Sequence, residues 1–242
     1  MPKIKVIESL DEVSATASSL MDTAERLFAR DGIENVSIRQ IVMASGHGNL
    51  SGAHYHFGSR ETLIRKVLER RMVVVDAMRH EALDRLVQQG RDKELFAVIE
   101  KTVRVLETVI RNFPWGRDYI LVIAQALFSP RVRLLDTINT VSLSGLQRTS
   151  EMASALLPHL PAKYFEERMR IVRLHVTYEM ARWLQQNELT AATEVAFEEM
   201  LVTVTEFAVG GLMAPTRLAA QPVANPRTSV QKVVRNKTAK AT

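Results

Sequence analysis

The sequence predicts an all-α protein with about nine helices. Apolar residues recur at the spacing of one helix face along most of the chain, and strand-type alternation is weak throughout. Glycine and proline stand between these periodic segments, at the positions where helices end. The 242 residues allow one large domain, or a small domain joined to a larger one. The order of the segments favours the second arrangement.

The first two helices are marked clearly. The apolar face of the first helix comprises Leu20, Ala24, Leu27 and Phe28. Asp31-Gly32 then supplies a stop signal, since glycine readily adopts the left-handed conformation that ends a helix. Ser37 begins the second helix, and Gln40 three residues later completes a capping box. Gly46 ends this second helix.

A third, shorter helical segment is predicted at about residues 50–57, and a long helix capped by Ser59 follows it to about Gln89. Residues 15–70 are therefore predicted to form a compact domain of three short helices and the start of a fourth. Residues 1–14 are predicted to be a flexible N-terminal arm.

Residues 71–213 are predicted to form a larger helical domain. Its further helices are expected at about 94–112, 117–128, 162–187 and 191–210, with another beginning near Ser129-Pro130. The last helix is predicted to be capped by Thr190 and ended by Gly210-Gly211. Residues 214–242 have no periodicity and are predicted to be a disordered tail.

The net charge of +5 belongs to the tail. Beyond Ala214 the chain has six basic residues and no acid, so residues 1–213 hold 26 basic and 27 acidic groups, a balance of −1. The high overall charge is therefore no evidence by itself that the folded part binds nucleic acid. An idle, solvated tail is the simpler interpretation, and a weak attraction to DNA at low salt is the alternative.

Several classes of protein are disfavoured by what the sequence lacks. Cysteine is absent, which excludes disulfides and thiolate metal sites and suits a cytoplasmic protein. No apolar run approaches the ~20 residues of a membrane-spanning helix. Neither paired carboxylates nor a nucleophile motif is evident, so we expect no enzyme, catalytic residue or cofactor.

Three of the six histidines fall within residues 47–56, which raises the question of a metal site. His54 and His56 are two residues apart, and on a helix this separation turns their rings about 200° away from each other. On a strand they would share a face. Leu50, Ala53 and Phe57 follow helical spacing, so a helix is favoured and no metal site is expected.

With Leu50 and Phe57 turned inward, Ser51, Gly52 and Tyr55 face outward. Two short helices joined by a glycine-containing turn form a helix-turn-helix pattern, whose second helix enters the major groove of DNA. Small and polar side chains there can bond phosphates and base edges. A plain helical bundle remains an equal alternative on this pattern alone.

The same region resembles the N-terminal domain of the tetracycline-repressor (TetR/AcrR) family of bacterial transcription regulators. The similar pieces are Ala24-x-x-Leu27-Phe28-Ala29-x-x-Gly32, Ser37-Ile38-x-x-Ile41 and Tyr55-His56-Phe57-x-Ser59-Arg60-Glu61. The resemblance covers residues 15–70, whereas residues 71–213 are similar only in helical pattern and length. It implies a homodimer on double-stranded operator DNA, more often a repressor, released by a small effector.

The turn before the third helix departs from most members of this family. It is longer by one residue, as in a subgroup of the family, and the usual basic residue is replaced by Leu50 or Ser51. Asn49 is therefore the first choice for the helix cap and Ser51 the second. The predicted DNA-binding residues are Arg39, Asn49, Ser51, Gly52, His54, Tyr55, His56 and Arg60.

A ligand sensor also needs a mostly apolar pocket in its larger domain. The aromatic and flexible apolar candidates, together with a candidate polar anchor, are Phe96, Val103, Trp115, Tyr119, Ile123, Phe128, Met152, His175 and Tyr178. Each residue singly is more often part of a core. An apolar effector is expected, and a DNA-binding regulator controlled by a protein partner is the alternative, as is an activator.

The last two helices have wide apolar stripes that predict a dimer interface. Two such helices from each subunit would bury these stripes in a four-helix bundle. The predicted interface residues are Ile171, Leu174, Phe197, Leu201, Val204 and Ala208. The alternative is a monomer that folds both helices onto its own body.

Overall fold

The computed structural model describes residues 15–46, 55–129, 132 and 143–216, and within these ranges the chain is helical apart from turns and contains no strand. The helices are α1 (Ala15–Asp31), α2 (Ile38–Ala44), α3 (Arg60–Gln88), α4 (Leu95–Asn112), α5 (Gly116–Phe128), α6 (Ser144–Ala155), α7 (Ala162–Gln186) and α8 (Glu194–Met213). Residues 55–57 add a helical turn before α3. The all-α prediction is confirmed.

Helix boundaries follow the predicted caps at the N-terminal end. Ser37 Oγ accepts a hydrogen bond from the Gln40 amide at 3.3 Å, and Gln40 Oε1 accepts one from the Ser37 amide at 2.8 Å, which completes the capping box of α2. Ser59 Oγ accepts from the Thr62 amide at 3.1 Å and so caps α3. Gly32 has φ +93° and ends α1 as expected.

The bounds predicted for the last helix are wrong at both ends. Thr190 does not cap α8, because residues 190–193 form a turn in which Thr193 Oγ1 bonds the Glu188 carbonyl at 2.6 Å. The helix begins at Glu194. At the other end, Gly210 and Gly211 lack the positive φ that would stop a helix, and α8 continues to Met213.

The N-terminal head consists of α1, α2 and the first turns of α3. Its core contains Phe28, Ile41, Ile64 and Leu68, each fully buried. α3 passes from this head into the body as one uninterrupted helix of 29 residues, across the predicted domain boundary at residue 70. Any tilt of α3 in the body is therefore carried into the head.

The body surrounds α5, which packs against α1 on one side and α7 on the other. α8 packs on both α4 and α7, and α6 packs between α3 and α4. Because α5 touches both the head and the body, the head is held at two places rather than one. None of the described helices is both long enough and apolar enough to cross a membrane.

A buried ion-pair cluster joins the head to α3. Glu25 on α1 is 2% exposed, and its carboxylate accepts from Arg71 Nη2 at 2.7 Å and from Arg70 Nη2 at 3.0 Å. Asp22 accepts a further bond from Arg70 at 2.7 Å. The Arg71 guanidinium also lies 4.5 Å from the ring centroid of Trp115, at the start of α5.

Replacing Glu25 with glutamine should destabilise the protein by about 3 kcal/mol, because two partly buried guanidiniums then lose their shared carboxylate. Glu81→Gln is the matched control: its partner Arg85 is 3.5 Å away and both side chains are exposed, so a change below about 1 kcal/mol is expected. Chemical denaturation measures both. Equal effects of the two substitutions would contradict the structural role of the cluster.

Candidate functional sites

The head exposes a tyrosine beside a buried phenylalanine. Tyr55 is 86% exposed, whereas Phe57, two residues on, is 5% exposed and is anchored in the core. His56 lies between them, with an edge contact to the ring of Tyr55 at a centroid distance of 5.4 Å and a tilted contact to the ring of Phe57 at 6.1 Å. The helical phase inferred from the sequence thus holds at residues 55–57: Tyr55 points outward and its neighbours support it.

Arg39 is exposed on α2, as is Met43 one turn further on, which is 70% exposed. The Arg39 guanidinium has no hydrogen-bond or ion-pair partner within the part of the chain that the structure describes. A basic side chain that is free to move can reach a phosphate. Arg39 and Tyr55 are therefore both available to an external ligand.

Arg60 is placed differently from its prediction. Its Nε donates to the Val36 carbonyl at 2.7 Å, and its guanidinium lies 5.9 Å from the ring centroid of Phe28. Its Nη2 is buried and has no hydrogen-bond partner among the described residues. The guanidinium is therefore turned inward onto the turn before α2, and Arg60 fixes α3 to that turn.

The remaining predicted DNA-binding residues, Asn49, Ser51, Gly52 and His54, lie outside the described residues, as do the arm 1–14 and the tail from residue 217. Both choices of cap for the predicted third helix fall in the same segment.

The body contains a cavity of about 700 Å³ enclosed by α3, α4, α5, α6 and α7. Its apolar wall comes mainly from α4 and α5, with Ile99, Val103, Leu106, Tyr119, Ile120, Ile123 and Leu127. α6 and α7 close the opposite side and add several polar side chains. A cavity of this size is in the range of small-molecule sites.

Three of the predicted pocket residues, Val103, Tyr119 and Ile123, line this cavity. The other six lie elsewhere: Phe96, Trp115, Phe128, Met152, His175 and Tyr178. They occupy other faces of the same helices, or adjoining turns. Phe96 and Phe128 are 41% and 62% exposed, and His175 packs on Phe207 with centroids 4.6 Å apart. The size and aromatic character of a side chain were therefore not sufficient to predict which face of each helix lines the cavity.

The polar groups of the cavity were missed from the sequence. Arg79 on α3 is only 6% exposed, and Arg173 on α7 is half-buried. The sequence did contain a signal for Arg79, because this residue follows the helical spacing of the buried Met72, Val75 and Leu83 on α3. Arginine is rarely buried without a partner, so its presence on the inner face of an amphipathic helix indicates a special role.

Burial dominates the electrostatics of the cavity. It lowers the pKa of both Arg79 and Arg173 from the ordinary value of an arginine. It raises the pKa of Tyr119 to about 12, and the charge of Arg79 opposes that rise. Tyr119 and Arg79 therefore interact across the lining, and the phenol remains a hydrogen-bond donor at neutral pH.

Gln125 on α5 links the cavity to the head. Its Oε1 accepts from the Ile33 amide at 2.7 Å, and its Nε2 donates to the Phe28 carbonyl at 3.2 Å. One bond therefore holds the last turn of α1, and the other holds the turn that separates α1 from α2. Ile123 and Leu127 on the same helix line the cavity, so one rigid element touches both the cavity and the head.

The predicted dimer stripe needs correction. Phe197, Leu201, Val204 and Ala208 are at most 3% exposed within the protomer, because this side of α8 packs on α4 and α7. Leu174 lines the cavity, and Ile171 alone of the predicted set is substantially exposed, at 49%. The large apolar residues exposed on α7 and α8 are Ile171, Tyr178, Val195, Val202, Phe207 and Met213.

The described helices define a two-part all-α protein, with a small head of short helices joined by one long helix to a larger body around a cavity. Two solved structures are similar along most of their length. One is a putative TetR family transcription regulator from Shewanella sp. PV-4, with TM-score 0.58 and 13% identity, covering 81% of this chain and 96% of that chain. The other is the fatty acid degradation regulator FadR from Bacillus halodurans, with TM-score 0.54 and 14% identity, covering 85% of this chain and 100% of that chain.

The chain therefore has the fold of the TetR-family transcription regulators, as the resemblance of residues 15–70 implies. No family model matches the sequence. A search of curated proteins finds no match either.

Replacing Gln125 with leucine should destabilise the protein by about 1–3 kcal/mol, because the Ile33 amide and the Phe28 carbonyl each lose a hydrogen bond. Gln147→Leu is the control: Gln147 is exposed and bonds only Glu151 on its own helix, so little change is expected. Thermal unfolding measures the difference. Hydrogen exchange should show added opening at residues 28–36 in the Gln125 variant, and unchanged protection there would contradict the link.

Proposed function

We propose that the chain is a DNA-binding transcriptional regulator that acts as a homodimer. The exposed Tyr55 is the observation that carries this proposal. It stands on the last turn of the predicted recognition helix, in a head whose fold is that of transcription regulators. An exposed aromatic hydroxyl held by a buried neighbour is suited to a phosphate contact.

In this proposal the predicted helix 50–57 enters a major groove and Arg39 contacts the DNA backbone beside it. A two-fold dimer presents two such heads, so its operator is a pseudo-palindrome with half-sites about one or more helical turns apart. Ser51, Gly52 and His54 are assigned to the same surface by helical phase and resemblance, and Asn49 to the cap. Arg60 acts indirectly, by fixing α3 to the turn before α2.

The cavity supports control by a small, mostly apolar effector. A regulator controlled only by a protein partner has no need of a 700 Å³ space among its helices, which favours a small molecule over that alternative. The proposed regulator is a repressor whose effector releases it from DNA. An activator would have the same head and cavity, and a promoter fusion distinguishes the two by the sign of its response.

The proposed coupling runs through α3 and α5. Both helices line the cavity, through Arg79 on one and Ile123 on the other, and both hold the head. An effector that shifts either helix changes the spacing of the two heads in the dimer. Effector and DNA then weaken each other's binding by the same factor.

DNA binding is tested by gel shift with the DNA that flanks the chain's own gene, with and without cell extract. A specific shift at moderate salt is expected, and its absence would overturn the proposal. The double variant Arg39→Ala, Tyr55→Phe should bind more weakly. The slope of the logarithm of its binding constant against the logarithm of the salt concentration should fall in magnitude by about 1 for each phosphate that the variant no longer neutralises.

The matched control for this double variant is Arg85→Ala, Tyr164→Phe, which changes the same residue types within the body. Arg85 is exposed near the end of α3 and Tyr164 lies in the first turn of α7, so affinity and salt slope should stay those of the parent. If the head variant also kept the parent's affinity and slope, neither Arg39 nor Tyr55 would touch the DNA.

The dimer is proposed to form through the exposed apolar side of α7 and α8, which includes Tyr178 and Phe207. Phe207→Glu should convert the dimer to a monomer, because a two-fold interface brings each substituted side chain close to the partner's interface. Phe96→Glu is the control, since Phe96 is an exposed aromatic on α4 instead. Sedimentation velocity gives the result, and a dimeric Phe207→Glu variant would place the interface elsewhere.

A further inference from the structure

Arg79 is a buried cation with no hydrogen-bonded partner among the residues that the structure describes. Its side chain is 7% exposed, and it lines the cavity. Its Nε is buried with no hydrogen-bond partner among the described residues. The carboxylate of Asp76 is 4.0 Å from Nη1, which is beyond hydrogen-bonding distance. Burying a guanidinium in this way costs free energy that its contacts with the described residues do not return in full.

Asp76 is already engaged by another element. Its Oδ1 accepts from the Gly145 amide at 2.9 Å, and its Oδ2 accepts from the Ser144 hydroxyl at 2.7 Å. Both donors lie at the start of α6. The carboxylate therefore holds α6 against α3, and both of its oxygens already accept a hydrogen bond from α6. The ion pair with Arg79 at 4.0 Å leaves Nε of Arg79 without a hydrogen bond to any described residue.

The other charged side chains of the cavity do not supply a partner. Glu151 and Glu166 are exposed and therefore solvated. Arg170 is exposed and is paired with Glu167 at 2.6 Å. Arg173 is half-buried, and its Nη1 has one long bond of 3.4 Å to Ser150. The buried part of the cavity thus has an excess of positive charge beside an apolar wall.

We propose that the cavity binds an amphiphilic carboxylate, an apolar body with one terminal carboxylate that pairs with the guanidinium of Arg79. Tyr119, buried in the same lining, donates a further hydrogen bond to that carboxylate. Ile99, Val103 and Ile123 receive the apolar body. The proposal deepens the proposed function by naming the chemical class of the effector, and it rests on that function only for the consequence at DNA.

The chemistry of a guanidinium favours this class over a neutral lipid. The planar fork of an arginine matches a carboxylate with two parallel bonds. A neutral alcohol of the same chain length would fill the apolar wall but leave the cation without a counter-charge. A cationic amphiphile would place like charges together. Selectivity among these three head groups is therefore the property to measure.

The test uses the full-length protein and isothermal titration calorimetry without DNA. The probes are the straight-chain carboxylates from hexanoate to hexadecanoate, with 1-decanol and decylamine as head-group controls matched to decanoate. At least one carboxylate should bind, and decanoate should bind at least tenfold more tightly than either control. If no carboxylate binds, or decanol binds as tightly as decanoate, the proposal is overturned.

Arg79→Met tests the residue itself. We expect carboxylate affinity to fall about tenfold to a hundredfold, since a charge-assisted pair is removed, while decanol binds as before or more tightly. Arg170→Met is the matched control: its arginine lines the same cavity but is exposed and paired, so the carboxylate preference should remain. A carboxylate preference that survives Arg79→Met overturns the assignment.

Thermal unfolding separates this role from a structural one. Because the unpaired cation costs stability, ligand-free Arg79→Met should melt at or above the temperature of the parent, and so should Arg79→Gln. If both variants melt well below it, Arg79 is part of the structural core and the proposal fails.

The gel shift of the proposed function is a separate readout. Carboxylate binding without any operator binding would overturn the regulatory function and leave the ligand class in place. Operator binding by a protein that does not distinguish decanoate from decanol would overturn the ligand class and leave the regulatory function standing.

Discussion

The geometry of this protein depends on a carboxylate buried between two helices. Glu25 of α1 is held by Arg70 and Arg71 of α3, and Arg71 is in turn stacked over Trp115 at the start of α5. Three helices therefore meet at one charged cluster, at the level where the head joins the body. Because ion pairs at low exposure tolerate little change in geometry, the cluster sets the angle at which the head is carried. Gln125 provides a second attachment near the other end of α5, so the head is fixed against rotation as well as tilt.

Under the proposed function, the two attachments would let a site in the body influence the head without a flexible joint. α3 runs uninterrupted from the head core to Arg79, and α5 bears the cavity residues Tyr119 and Ile123 close to Gln125. A movement of either helix at the cavity would therefore also move the head. Packed helices shift as rigid units between discrete arrangements, so such a coupling would switch the head between distinct positions.

Local signals in the sequence predicted the helices, the caps at Ser37 and Ser59, and the phase that exposes Tyr55 and buries Phe57. These features depend on residues within one or two turns of each other. What could not be predicted depends on distant partners. The inward turn of Arg60 requires the carbonyl of Val36, and Gln125 finds its partners more than 90 residues away. The stripe assigned to the dimer is apolar because α8 covers α4, and an apolar stripe does not by itself indicate which surface it meets. The sequence places Arg79 at a buried helical position, but its role could not be predicted because the cavity is formed by several distant helices.

The buried guanidinium of Arg79, whose Nε has no hydrogen-bond partner among the described residues, also bears on how long the protein persists in a cell. A ligand that supplies its counter-charge binds the folded state only, so it shifts the balance away from the unfolded chain in proportion to its concentration. Proteases degrade the opened fraction, and a change of about one or two kcal/mol alters that fraction several-fold. Under the proposed function, a carboxylate effector would raise the amount of the regulator while it alters the regulator's activity. The concentration of the protein would then respond slowly to the effector, in addition to the proposed fast response at DNA.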